Sequence, residues 1–147
     1  MIHVVEQVDV AAAAAVTWAA VTDWASQGEW MLGTSVRVTG GDGQAVGSTL
    51  AAFTGVGPLG FTDHMQITAW EPPHRCVVRH TGRVVRGTGV FEVVDRGAAA
   101  STFVWRETLR PPLGRLGDLG WLVLGPAFRL GLRESLRRLA ARAEALA

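Results

Sequence analysis

Along most of the chain apolar and polar residues alternate with a period of two, and the period lengthens to three and four only near the two ends. Residues 2–10 read as a strand, with Ile2, Val4 and Val8 on one side. Residues 11–23 have high helix propensity and Asp9 stands where it can cap them, while residues 24–31 read as a second short helix or turn closed by Gly33. Period-two segments follow at 36–39, 48–54, 61–70, 75–81, 84–94 and 101–109. They are punctuated by Gly40-Gly41-Asp42-Gly43, a loop over 56–60, Glu71-Pro72-Pro73, Gly82, Arg96-Gly97 and Pro111-Pro112. Residues 116–124 read as a short helix or lid. Pro126 suits a first helical turn, and from there Phe128, Leu132, Leu136, Leu139, Ala143 and Leu146 form one apolar stripe on a helix of about 20 residues.

A sheet with only one long helix buries both apolar faces by curving around that helix. The predicted class is α+β, one domain over residues 1–147. It comprises a curved antiparallel sheet of about six to seven strands, two short helices after the first strand, and a long C-terminal helix. Curvature of this kind leaves a cavity between sheet and helix.

Composition narrows the functions. The chain has six Trp, five Phe and no Tyr, so it has bulky apolar surface to place and no phenol for chemistry. All the basic residues are arginines, and 14 of them against 13 acidic residues give a formal charge of +1, which argues against a nucleic-acid binder. The clusters Arg79/Arg83/Arg86 and Arg129/Arg133/Arg137/Arg138/Arg142 read as solvated faces. Cys76, the single cysteine, sits in an apolar strand pattern and reads as a buried, inert thiol. The N-terminus lacks a basic, then apolar, leader pattern. The most apolar stretch, 119–128, is too short to span a bilayer and holds Gly120, Gly125 and Pro126. A cytoplasmic location without integral membrane association is expected. His3, His64 and His74 carry no metal-ligand spacing. There is no P-loop and no nucleophile elbow, and the GxGxxG spelled by 55–60 contains Pro58 and runs into a strand. Neither metal nor cofactor is expected.

Four segments together resemble the helix-grip superfamily, which holds START lipid-transfer domains, the Bet v 1 allergens and the bacterial polyketide cyclase/dehydrase family. They are VTWAAVTDWASQGEWM with Trp18, Asp23, Trp24 and Trp30; Trp70-Glu71-Pro72-Pro73-His74-Arg75; the hairpin GTGVFEV followed by STFVW; and Leu136-Arg137-Arg138-Leu139 with Glu144. The resemblance spans nearly the whole chain and implies a helix-grip fold with an internal ligand cavity. It implies no particular reaction, because the superfamily mixes carriers, sensors and enzymes.

Sorting each strand by face places Asp63 with Phe61, Met65, Ile67 and Ala69, His80 with Cys76 and Val78, and Glu107 with Phe103, Trp105 and Leu109. Gly87, Gly89, Phe91 and Val93 fall on the same inner side. Asp63, His80 and Glu107 are therefore the candidate acid–base groups, able to move protons at a carbonyl compound. The alternative is that they lie hydrated near strand ends or paired with Arg79 or Arg106. Gly87 and Gly89 either make cavity volume or mark a bulge. The candidate ligand wall is Met65, Phe91, Phe103, Trp105, Trp121, Leu124, Phe128 and Leu132, joined by Trp30 and Met31, whose short helix the resemblance implies at the cavity mouth, with Trp18 and Trp24 as core.

Two functions remain open: a carrier for a lipid, fatty acid or polyketide-like metabolite, and an aromatase/cyclase or dehydratase acting in the same cavity. A protein-interaction or stress-associated module, using the outer sheet face or the arginine-rich helix face, is a third. The expected partner is a hydrophobic small molecule, with the chain a monomer or weak homodimer.

Overall fold

In the computed structural model, which describes residues 1–147, the sheet comprises β1 (Ile2–Val10), β2 (Thr34–Gly40), β3 (Thr49–Val56), β4 (Leu59–Glu71), β5 (Arg75–Thr81), β6 (Arg86–Asp95) and β7 (Ser101–Arg110). All pairings are antiparallel and the order is β1-β7-β6-β5-β4-β3-β2. Between the edge strands β1 and β2 the chain forms helix α1 (Ala14–Thr22) and a 3₁₀ segment, Trp24–Glu29. The chain ends in α2 (Arg115–Leu146), which packs on β1 and α1. This is the helix-grip fold.

Several boundaries differ from the sequence pattern, each for a local reason. Helix α1 starts at Ala14 rather than residue 11, with no side-chain cap. The Ala12 carbonyl accepts from Ser101 Oγ and the Ala11 amide donates to Glu144, which holds those residues out of the helix. Asp9 caps nothing and accepts from Thr102 instead. The expected loop over 56–60 is a tight hairpin, because β3 runs to Val56 and β4 resumes at Leu59, with Gly57 at φ +57° making the reversal. A bulge in β4 between Ile67 and Ala69 reverses the pleat, so Ala69 leaves the inner face and Trp70, opposite Cys76, takes its place. Trp70 then packs on Trp18 with ring centroids 5.1 Å apart.

The largest difference is α2. It is one helix of 32 residues with Pro126 inside, rather than a lid followed by a shorter helix. A proline there forfeits one backbone hydrogen bond. The helix is tied across the gap by Trp121, whose indole covers Gly125 and meets Phe128 at 5.4 Å between centroids. The two halves have different surroundings. Leu132, Leu136, Leu139 and Ala143 are buried against the sheet and α1, whereas Leu116, Leu119, Leu122, Val123 and Leu124 are exposed.

The core joins Val4, Val10, Ile67, Val93 and Phe103 from the sheet to Leu136 and Leu139 from α2 and to Trp18, Val21 and Trp30 from the β1–β2 connection. Each fully buried side chain of this size contributes about 1.5–3 kcal/mol. Leu139→Ala is therefore expected to cost about 2–5 kcal/mol in urea unfolding. Leu122→Ala, at a position 73% exposed, is expected to change stability by less than about 0.5 kcal/mol.

Candidate functional site

The sheet and α2 enclose a cavity of about 320 Å³. Its walls are Leu50 and Ala52 from β3, Phe61 and Met65 from β4, Cys76 and Val78 from β5, Phe91 from β6, Trp105 and Leu109 from β7, and Phe128 and Leu132 from α2. Trp24, Gln27 and Met31 close it from the β1–β2 connection. Among this largely apolar lining stand three charged-type side chains, Asp63, His80 and Glu107.

These three form one hydrogen-bonded chain. His80 Nδ1 lies 2.8 Å and 3.0 Å from the two Asp63 oxygens, and its Nε2 lies 3.0 Å from Glu107 Oε2. Glu107 Oε1 accepts from Trp105 Nε1 at 2.8 Å. Trp105 and Glu107 are two apart on β7 and so share a face. Asp63 reaches His80 diagonally, since Met65, two residues on, is the register partner of His80. The register partner of Asp63 on β3 is the small Ala52.

The link from His80 to Glu107 depends on what is missing between them. β5 and β7 are separated by β6, so their backbones lie about 10 Å apart, twice the usual strand spacing. On β6 the residue opposite His80 is Gly87 and the residue opposite Glu107 is Gly89. With no side chain at either place, imidazole and carboxylate meet over the top of β6. A Cβ on Gly89 would lie 2.9 Å and 3.1 Å from the Glu107 oxygens. Gly87 has a second reason to be glycine, a φ of +126°, at which a Cβ would collide with the Thr108 backbone carbonyl.

The electrostatics follow from this geometry. Burial disfavours the imidazolium, but hydrogen bonds and charge from Asp63 and Glu107 outweigh that cost and lift His80 to about 9. A neutral imidazole donates from one nitrogen only, whereas both His80 nitrogens face carboxylate oxygens, so the imidazolium satisfies the site. Burial alone pushes the Cys76 thiol up to about 12, which leaves it unreactive. Arg79 and Arg106 do not serve the triad; they point to the outer face, toward Gln66 and Glu92.

Of the expected wall residues, Met31, Met65, Phe91, Trp105, Phe128 and Leu132 line the cavity together with Asp63, His80 and Glu107. Trp30, Phe103, Trp121 and Leu124 do not. Trp30 and Phe103 lie behind the wall, edge-on to each other and packed on Phe91, and the Trp30 indole N–H has no acceptor. Trp121 is spent on Gly125 and Phe128, and Leu124 faces outward at 66% exposure. Trp24 is both core and wall, its Nε1 held by the Gly43 carbonyl at 2.8 Å. Gln27, Leu50 and Ala52 were missed. The alternation of Leu50, Ala52 and Thr54 carried the signal for β3, while Gln27 sits in a 3₁₀ turn with no period to reveal its side.

Because the folded His80 titrates above its ordinary 6.5, its stabilising effect is complete below pH 6.5 and is lost as the pH rises toward 9. Unfolding free energies from pH 6 to pH 9.5 are expected to fall across that window. NMR titration should show the His80 ring still protonated at pH 8. Gly89→Ala, by displacing Glu107, is expected to move the His80 midpoint down toward 6.5 while the chain remains folded. An unchanged midpoint would disprove the role of Gly89 in letting Glu107 reach His80.

No curated protein sequence matches this chain. Solved structures do. Protein TTHA0849 from Thermus thermophilus superposes with a TM-score of 0.82 at 12% identity, over 99% of each chain. The Zhui aromatase/cyclase from Streptomyces sp. R1128 superposes with a TM-score of 0.74 at 17% identity, over 97% of this chain and 93% of that one. A START superfamily protein from Mycobacterium smegmatis superposes with a TM-score of 0.73 at 15% identity, over 99% of each chain. At these identities the likeness is one of fold. The sequence itself matches a family model, described as polyketide cyclase/dehydrase and lipid transport, over residues 1–144. With nearly every residue inside that match, the chain belongs to the polyketide cyclase/dehydrase and lipid transport family.

Proposed function

We propose that the cavity binds an uncharged, mostly apolar carbonyl or hydroxyl compound of polyketide-like character, and that the Asp63–His80–Glu107 chain moves a proton on it. The observation that carries this reading is a buried, charge-bearing hydrogen-bond chain inside an otherwise apolar pocket. Ionisable groups so placed are costly unless they are paired, and strongly shifted groups in a pocket concentrate at functional sites. His80 has both N–H groups committed to carboxylates and Trp105 has committed its own, so the site presents acceptor oxygens to a ligand. A carboxylate can take a proton from a carbon between two carbonyls. The enolate formed attacks a second carbonyl of the same chain, and the carboxylic acid returns the proton to the new alkoxide. Loss of water then gives a dehydrated ring. His80 keeps the carboxylates oriented and spreads their charge.

A free fatty acid suits this lining less well. No arginine lines the cavity, and the only cation is already held between two carboxylates. A carboxylate head group would face Asp63 and Glu107 without a counter-ion.

A passive carrier is the second reading. It is favoured by the internal satisfaction of the triad, which needs no ligand to complete it. The two readings share the binding step and differ in what Glu107 does.

Tryptophan fluorescence should register ligands beside Trp24 and Trp105. 2-Naphthol is expected to bind at least about tenfold more tightly than 2-naphthoate at pH 7, a difference of about 1.4 kcal/mol. Equal binding would remove the charge argument. Native mass spectrometry with organic extraction would identify any ligand that co-purifies. Against a panel of β-polyketone substrates, Glu107→Gln is expected to lower cyclisation at least about 100-fold, with binding little changed. If turnover survives that substitution, Glu107 is not the group that moves the proton; if no substrate turns over while a ligand co-purifies, the carrier reading stands.

A further inference from the structure

On the face of the sheet opposite the cavity, β5, β6 and β7 form an open groove of about 570 Å³ with an unusual charge distribution. Arg79 and Thr81 of β5, Arg86 and Thr88 of β6, and Thr108 and Arg110 of β7 line it. The register stacks them in two rows. Arg79 is opposite Thr88 and Thr88 opposite Thr108, while Thr81 is opposite Arg86 and Arg86 opposite Arg110. Arg86 and Arg110 are thus direct cross-strand neighbours, a placement that like charges disfavour.

Nothing in the protein relieves it. No Asp or Glu lines the groove, and neither Arg86 nor Arg110 has a carboxylate within 4.0 Å or any hydrogen-bond acceptor. Arg79 is bound only by the neutral Gln66. Elsewhere on the same face Arg106 does find an acid, Glu92 at 3.6 Å, so the absence belongs to this groove and not to the face as a whole. The Thr88 hydroxyl is also unengaged, whereas Thr81 is spent on the His64 carbonyl and Thr108 on His3. The groove therefore offers three guanidinium groups and a free hydroxyl around one space, fixed on strands that carry His80 and Glu107 on their other side.

We propose that this groove is an anion site that takes a phosphate-class dianion. Paired guanidinium forks match the spread oxygens of a phosphate, and a hydroxyl supplies a further donor. A single chloride or carboxylate fills fewer of these donors and neutralises less of the charge. The bound anion removes the repulsion between Arg86 and Arg110, so binding and stability are linked. His80 borders both the groove and the cavity, but the anion donors lie on the outer face, and the proposal does not depend on which reaction, if any, the cavity performs.

The test uses the full chain, with inorganic phosphate titrated calorimetrically against sodium chloride at matched ionic strength. One phosphate per chain is expected, bound at least about tenfold more tightly than chloride. Phosphate should raise the melting temperature of the wild type. Arg110→Gln should weaken phosphate binding by about tenfold or more and abolish that rise, while melting no lower than the wild type without phosphate. Arg37→Gln, which removes an exposed charge on β2 at the far side of the sheet, should leave binding unchanged. Phosphate no better than chloride would overturn the proposal, as it would if a nucleic-acid backbone or an acidic protein were the only partner. Equal losses in the Arg37 and Arg110 variants would also overturn it, because they would report net charge and not a site.

Discussion

A protonated imidazole held between two carboxylates, in a pocket otherwise built of hydrocarbon, is the constraint that orders the inner face of this protein. Its parts come from three strands, β4, β5 and β7, and the chain closes over the strand between the last two because that strand has glycine at both crossing points. Breaking such a chain is costly because each member would leave a buried polar partner unmatched. The register of four strands is therefore tied to one set of hydrogen bonds. A slip of one residue would carry Asp63, His80 and Glu107 together to the solvent face.

Around this chain the aromatic residues divide the work between packing and shape. Trp30, Phe91, Phe103 and Trp105 form a tilted, edge-to-face cluster with centroids 5.1–6.4 Å apart. Phe91 and Trp105 show one side to the cavity, while Trp30 and Phe103 stiffen them from behind. Rings packed in this way cannot collapse into the empty space, which is how a cavity of about 320 Å³ persists beside a close-packed core. Trp105 does both jobs, since its ring is wall and its N–H fixes Glu107.

The two halves of α2 show the same economy over a longer distance. The second half is core, and its outer side carries the pairs of Glu134 with Arg137 and Arg138, which bring the Glu134 carboxyl down to about 2. Standing in solvent, these pairs contribute little to stability beyond keeping the surface charged. The first half reaches past the sheet with leucines exposed, and only Phe128 near its end turns back to the cavity. On the sheet, inner and outer faces have opposite character. The inner face carries a negative-leaning triad, and the outer face of β5, β6 and β7 an uncompensated set of arginines.

Much of this was legible in the residues themselves. Period-two alternation in 61–67, 75–81, 87–93 and 101–109 placed Asp63, His80 and Glu107 on one side of the sheet, and that is where the structure has them. The stripe from Leu132 to Ala143 identified the buried half of α2, and motif order identified the family. Periodicity is a one-dimensional property, and it holds until the backbone breaks period. It failed at Ala69 because a bulge inserts one residue, and at 115–125 because a proline does not end a helix that a tryptophan straps across it. It assigned Phe103 to the wall because a face says which way a side chain points and not what stands in front of it, and the family resemblance put Trp30 there without showing that Phe91 and Trp105 stand before it. That Gly89 is vacant for the sake of Glu107, and that Arg86 meets Arg110 without an acid nearby, are facts of strand pairing. The sequence determined faces, elements and family, since these rest on local spacing. Only the tertiary structure decided which residues meet, because strand register is set by the sheet as a whole.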